Sequence, residues 1–143
     1  PPPTPTPTPS VAELAVNRVL RGRMPRPSSY PRKLRRTAGE RWSATARATL
    51  AYAKANHAPA GRLTEVAGAV ATAAVQTAHA VLAARGEWVT NEKRLLERAG
   101  LRTVDDVLAA MAARADGKDP GALEQAIECA QVLFDEAVRG LRS

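Results

Sequence analysis

The residues with the clearest potential for chemistry follow one another in the segment Trp88-Val-Thr-Asn-Glu-Lys93. Trp88 offers an aromatic surface, Asn91 an amide, and Glu92 and Lys93 an adjacent acid and base. This set suits the binding of a charged small molecule. It also suits a packed loop in which Thr90 or Asn91 caps a short helix that contains Glu92 and Lys93 in its first turn. We treat Trp88, Asn91, Glu92 and Lys93 as substrate-binding candidates.

His79 is a further substrate-binding candidate, because it lies in a stretch of 19 uncharged residues between Glu65 and Arg85. An imidazole in such surroundings needs a partner for its polar nitrogens. Two interpretations remain open: a core histidine hydrogen-bonded to a neighbouring helix, or a member of a binding site together with the segment that follows.

The sequence contains no familiar catalytic or metal-binding pattern. It has no Walker loop, no G-x-G-x-x-G and no G-x-S-x-G. His57 and His79 are not spaced as a metal-ligand pair. Cys129 is the single cysteine, so it forms no internal disulfide, and its helical context predicts a buried, inert thiol. We therefore predict no catalytic residue and no metal site in this chain.

Positive charge is concentrated in the first part of the chain. Residues 1–62 contain 12 Lys or Arg and two Glu, whereas residues 63–143 contain nine basic and 12 acidic residues. Such asymmetry is typical of a polyanion-binding surface, although an Arg-rich composition also arises from a GC-rich genome. The polyanion-binding candidates are Arg32, Lys33, Arg35, Arg36 and Arg41. With no exposed aromatic residues expected among them, they would bind phosphates with little reading of bases.

These candidates must be positioned by helices. Residues 1–9 are a Pro/Thr-rich linker or tail, and residues 10–143 are predicted to form one helical domain. Ser10 and Glu13 make a capping box for a helix that ends at Gly22. A second helix should run from Pro31 to about His57, and its buried stripe should include Trp42.

The central helix is predicted between Arg62 and Arg85 and should be buried on all sides. Its length would permit a membrane span, but its Ala, Thr, Gln and His residues supply little transfer energy, so we predict none. Further helices should follow Asn91, Thr103 and Asp119. The sequence thus predicts an all-α, up-and-down bundle of four to six helices with a Pro/Thr-rich N-terminal extension.

The same residues carry a resemblance to a known family. The chain is similar, over roughly residues 29–140, to the C-terminal helical domain of bacterial nucleotidyltransferase-like proteins of the kanamycin-nucleotidyltransferase type, in the DNA polymerase β superfamily. The matching elements are Tyr30-Pro31-x-x-Leu34-Arg35, Trp42, Gly68, His79 in an Ala-rich helix, Trp88-x-x-Asn91-Glu92-Lys93 and Leu133-Phe134-Asp135-Glu136.

The resemblance implies a cytoplasmic accessory domain that is not catalytic alone. In that family a preceding α/β domain binds the nucleoside triphosphate and Mg²⁺ through a Gly-Ser turn and an Asp-x-Asp pair, and this sequence contains neither pattern. The implied partners are such a domain, in cis or in trans, and a small-molecule substrate. Lys93 would then pair with a phosphate or carboxylate, and Glu92 would hold a cationic group or assist deprotonation. The lack of an initiator Met and of a signal-peptide core agrees with a piece of a longer or processed protein. The alternative is a degenerate bundle that stands alone.

Two alternatives come from other functional classes. One is a basic helical module that binds nucleic acid or an acidic protein through the polyanion-binding candidates. The other is a structural bundle that forms a homodimer through its Ala-rich central helix.

Overall fold

The computed structural model describes residues 29–114 and 119–140, together with positions 15, 18 and 22. These residues form α-helices and no strand, which confirms the all-α class. The elements are α1 (Arg32–Asn56), a 3₁₀ turn (Ala58–Ala60), α2 (Leu63–Arg85), α3 (Leu95–Ala99), α4 (Val104–Arg114) and α5 (Pro120–Arg139).

The predicted Pro/Thr tail over residues 1–9 lies outside the described residues, as does most of the helix predicted after Ser10. Within that helix, the two described positions are Ala15, which is helical, and Arg18, which is not. The division into a tail and a single domain stays a prediction.

The first long helix, α1, begins directly after Pro31, which occupies the N-cap position with φ −62° and ψ 132°. Its buried residues recur at three- and four-residue steps, as one face of a helix requires; they are Ser43, Ala46, Leu50 and Ala53. The prediction that Trp42 belongs to this buried stripe is wrong, because Trp42 lies at its edge and is 37% exposed.

The central helix, α2, has nearly the predicted bounds and ends where Gly86 adopts φ 75°. The prediction that it is buried on all sides holds only for its second half, where nearly every residue from Ala73 to Ala83 is buried or half-buried. In the first half, Gly68, Ala71 and Thr72 are exposed. The other helices that contact α2 leave this side of its first half uncovered.

By length and composition, α2 could cross a membrane, as the only such helix among the described residues. However, 56% of its most apolar window is buried against the rest of the bundle. Its apolar surface is therefore used mainly for core packing.

The remaining helices close the core around α2. Asp119 caps α5, as predicted, because its carboxylate accepts a hydrogen bond of 3.0 Å from the Gly121 N–H. Asp105 and Asp106 lie in the first turn of α4, where the helix dipole favours acidic residues. Cys129 is exposed on α5 instead of buried, because it lies just outside the stripe formed by Ala126, Ile127 and Ala130.

Candidate functional site

The antiparallel packing of α1 against α2 brings the candidate residues together. Trp42 lies beside His79, and Thr49 donates a hydrogen bond of 2.9 Å to the Gln76 side chain. Nearer the start of α1, Arg35 lies against Gly86. The beginning of α1 therefore meets the end of α2 and the segment that follows it.

His79 forms a cluster with Trp42 and Glu92, which we call the His79 cluster. The His79 and Trp42 rings are stacked, with centroids 4.7 Å apart and an angle of 19° between their planes. The Nε2 atom of His79 lies 3.3 Å from Oε1 of Glu92. The His79 side chain is 17% exposed and that of Glu92 is 67% exposed. The cluster thus presents a carboxylate and part of an indole ring to solvent, above a largely buried imidazole.

The segment 87–94 reaches the cluster by folding back along α2. At its start, the left-handed Gly86 allows its own N–H to bond to the Ala83 carbonyl at 2.9 Å, and the Glu87 N–H to bond to the Leu82 carbonyl at 2.8 Å. At its end, Leu95 is 1% exposed and inserted in the core. Because both ends of the segment are fixed, Glu92 is held over His79, which lies two turns before the end of α2.

Asn91 does not cap a helix, so that prediction is wrong. Its Oδ1 accepts a hydrogen bond of 3.1 Å from the Lys93 N–H, which closes an Asx turn ahead of the helix. The helix begins at Leu95, after Arg94 adopts a left-handed φ of 57°. Glu92 and Lys93 therefore precede α3 and do not occupy its first turn. The exposed Lys93 forms no ion pair within the described part of the chain.

Trp88 packs against Tyr30, not against His79. Their ring centroids are 4.3 Å apart at an angle of 36°, and the Trp88 carbonyl accepts a hydrogen bond from Arg98. Burial raises the pKa of the Tyr30 hydroxyl, although the nearby positive charge of Arg35 opposes this effect. Trp88 thus anchors the segment to Tyr30, which lies two residues before the start of α1.

The five polyanion-binding candidates are exposed on the first half of α1, and none of them forms an ion pair with another described residue. By contrast, Arg47 and Lys54 in the second half of α1 pair with Asp135 and Glu128 of α5. The first turn of α1 contains no acidic residue. Within the first half of α1, only the carboxylate of Glu40 offsets this positive charge.

The expectation that no aromatic residue is exposed near these cations is wrong. Trp42 lies on α1 and is 37% exposed. Trp42 directly follows Arg41 in the sequence, and its ring remains in part accessible beside His79. Stacking of a planar ligand is thus available next to the basic residues.

Trp42 is the residue that sequence reasoning missed as part of the site. Its helical spacing from Ala38 and Ala46 predicts a position in the core stripe. The available signal was the interruption of a stripe of small residues by the largest side chain, which a closely packed pair of Ala-rich helices cannot enclose.

Comparison with known proteins yields no match to a protein-family model, to a curated protein or to a solved structure. The resemblance to nucleotidyltransferase-like proteins therefore rests on the quoted residues. Among the described residues, no group of three His, Cys, Asp or Glu side chains is arranged to hold a metal ion.

Proposed function

We propose that this chain is the helical, substrate-binding accessory domain of a cytoplasmic bacterial nucleotidyltransferase-like protein. It acts with a nucleotidyltransferase domain supplied in cis or in trans. That domain binds Mg²⁺ and the nucleoside triphosphate. This chain contributes the acceptor side of the cleft and no catalytic residue.

One observation carries the proposal: Trp42, His79 and Glu92 are distant in the sequence and meet in one cluster. The resemblance names all three residues. Tyr30 and Trp88, which it also names, contact each other at the adjoining end of α1. A set of matching residues that served core packing alone would not include a carboxylate that is 67% exposed.

The cluster has the chemistry to orient a polar acceptor. Glu92 accepts hydrogen bonds from a hydroxyl or ammonium group, and Trp42 gives an apolar ring surface beside it. Lys93 adds a cation for a phosphate or carboxylate. Binding in a fixed orientation next to a separate catalytic domain accelerates transfer by proximity.

The test combines the gene with an assay. The region encoded upstream of Pro1, or a separate partner protein, should supply a Gly-Ser turn and an Asp-x-Asp pair, and the combination should transfer a nucleotide to a small-molecule hydroxyl in the presence of Mg²⁺. In that assay, Glu92→Gln should raise KM for the acceptor by about tenfold. The matched control is Glu65→Gln, an exposed acid in the first turn of α2. Equal effects of the two substitutions, or the lack of any such domain, would refute the proposal.

A second candidate function is a nucleic-acid-binding module. It is favoured by the five cations in the first half of α1 that form no ion pair among the described residues. Because cation binding to phosphates releases counterions, affinity for single-stranded RNA should fall steeply with salt. Replacing Arg32, Arg36 and Arg41 by Gln should reduce the slope of log affinity against log salt concentration by about two to three. Trp42→Ala should weaken binding at every salt concentration, through loss of stacking. Lack of binding at low salt would exclude this function.

A further inference from the structure

A groove of about 200 Å³ opens where the start of α1, the end of α2 and the end of α5 meet. It shares no residue with the His79 cluster. Small apolar groups form its floor, and charged side chains form its rim. Its lining includes Arg35, Arg36, Gly39, Ala80, Ala84 and Val138.

The floor exists because the helices approach each other closely at small residues. A Cβ atom placed on Gly39 would lie 3.6 Å from the Ala80 carbonyl oxygen, so the backbones of α1 and α2 approach closely enough there for a single methyl group to span the gap. Ala84 and Val138 complete the floor without filling it. Pockets for drug-sized ligands usually measure about 300–1,000 Å³, so this groove suits a smaller, compact ligand.

The rim carries the guanidinium groups of Arg35 and Arg36. Arg35 lies against the end of α2, since a Cβ atom on Gly86 would be only 2.6 Å from its Cζ atom. Neither Arg35 nor Arg36 forms an ion pair among the described residues. The Ser43 hydroxyl, also in the lining, already donates to the Gly39 carbonyl at 2.8 Å. The guanidinium groups are therefore the donors available to a ligand.

Glu40 also lies on the rim, which leaves the lining with a formal net charge of +1. One excess positive charge matches a monoanion better than a phosphate dianion, which Glu40 would repel. Guanidinium groups bind carboxylates through paired hydrogen bonds. We propose that this groove binds a compact apolar monocarboxylate, with the carboxylate at Arg35 and Arg36 and the apolar body on Ala84 and Val138. The inference does not rest on the nucleotidyltransferase role proposed above, although Arg35 and Arg36 also belong to the polyanion-binding candidates.

The test uses benzoate as the probe and the full chain of residues 1–143. Titration followed by amide NMR should give saturable shifts at Gly39 and Ala84, and benzylamine, the cationic analogue, should give none. Acetate, which has no apolar body, should bind at least about tenfold more weakly than benzoate. Lack of saturable benzoate shifts, or equal affinity for acetate, would overturn the proposal.

Four variants distinguish benzoate binding in this groove from a general attraction of anions to a basic protein. Arg36→Gln should weaken benzoate binding by about tenfold. Glu40→Gln should strengthen it, because a repulsive charge is removed. Ala84→Leu should abolish binding while leaving the fold intact, because position 84 is an exposed helix site that tolerates leucine. Arg62→Gln is the matched control, an exposed cation outside both the groove and the polyanion-binding candidates. An equal loss in Arg36→Gln and Arg62→Gln, or unchanged binding in Ala84→Leu, would contradict the assignment.

Discussion

His79 Nε2 lies 3.3 Å from the Glu92 carboxylate, although 13 residues separate the two in the sequence. The contact forms because the chain reverses at Gly86 and runs back beside α2. On its other side, the imidazole stacks on Trp42 of α1. One half-buried ring therefore links two helices and the segment that carries the candidate binding residues.

The first prediction tests the His79–Trp42 stack by fluorescence. In a Trp88→Phe background, which leaves Trp42 as the single tryptophan, His79→Ala should shift the emission to longer wavelength and increase quenching by acrylamide. The reason is that one face of the Trp42 ring loses its cover. Loss of the ring pair should also lower the free energy of unfolding by about 1 kcal/mol. Unchanged emission and quenching would show that the stack is not maintained in solution.

The second prediction concerns the turn at Gly86. Alanine there must adopt a φ near 75°, which costs about 1–2 kcal/mol, and its Cβ must also displace the Arg35 guanidinium. Gly100→Ala introduces the same strain at φ 74° with no atom within 4 Å of the new Cβ. Gly86→Ala should therefore be the more destabilising of the two in urea unfolding.

Gly68→Ala is the opposite control for the same experiment. Gly68 lies inside α2 without a positive φ, and a Cβ there meets no atom within 4 Å. Alanine should stabilise the helix by roughly 0.5–1 kcal/mol. If all three glycine variants changed stability alike, the turn geometry described for Gly86 would be wrong.

The third prediction uses the uneven burial of α2. Ala74 is fully buried and Ala71 is exposed, although both were expected in the core. Ala74→Glu should destabilise the protein by roughly 3 kcal/mol or more, since a buried charge without a partner loses its hydration. Ala71→Glu should change stability by no more than about 0.5 kcal/mol. Thermal unfolding of the two variants, measured under the same conditions, tests this difference in stability.

The helices themselves were predictable because their signals are local. Gly86 ends an uncharged run, and Asp119-Pro120 opens α5 as a capping residue followed by proline. The site was less predictable, because it depends on long-range packing. The sequence marks His79 and Glu92 as candidates, but their contact follows from the direction in which the chain leaves Gly86.

Two local errors have physical causes. The sequence predicts too early a start for α3, because Asn91 resembles an N-cap. In the structure, Asn91 closes an Asx turn and Arg94 adopts a left-handed conformation before the helix begins. Non-glycine residues seldom adopt that conformation, and here two hydrogen bonds of 2.7 Å hold Arg94 to Glu97. The helical periodicity predicts Trp42 in the core, because it gives the direction in which a side chain points and not the space available between two helices.

The fourth prediction concerns pH. Burial raises the pKa of the Asp135 carboxyl, but hydrogen bonds from Arg47 and Gln131 and the charges of Arg47 and Arg139 lower it by more, so the pKa lies below its ordinary value. A carboxyl of this kind stabilises the fold above its unfolded pKa of about 3.9, and the contribution is lost as pH falls through the lower, folded pKa.

Asp135→Asn should therefore lower the free energy of unfolding by up to about 1 kcal/mol at pH 7, a size typical of an exposed ion pair. The difference from the wild type should shrink as pH falls below about 3.9 and vanish below the lowered pKa of the folded carboxyl, where Asp135 is protonated in both the folded and the unfolded protein. Urea unfolding of both proteins across this range provides the measurement. Glu136→Gln, at an exposed position of α5 without an ion pair among the described residues, is the control. A constant difference at all pH values would mean that the Asp135 charge is not the cause.

The last prediction concerns Asn91, whose side chain determines how the segment presents Glu92. Its Oδ1 accepts the Lys93 N–H at 3.1 Å, and the backbone between these residues bends so that the Glu92 side chain returns to His79. Asn91→Ala removes the acceptor and should cost about 1 kcal/mol or less, because the site is exposed and water replaces the lost bond. The effect on the conformation of the segment around Lys93 should be larger than the effect on the free energy of unfolding. Hydrogen exchange at the Lys93 amide should become faster, and the Trp42 emission should change as Glu92 leaves His79.

Asn91→Asp keeps an oxygen acceptor at the same position and should restore both signals, which separates the Asx turn from a general loss of side-chain packing. If Asn91→Asp behaved like Asn91→Ala, or if neither variant altered exchange at Lys93, the turn would not be what positions Glu92.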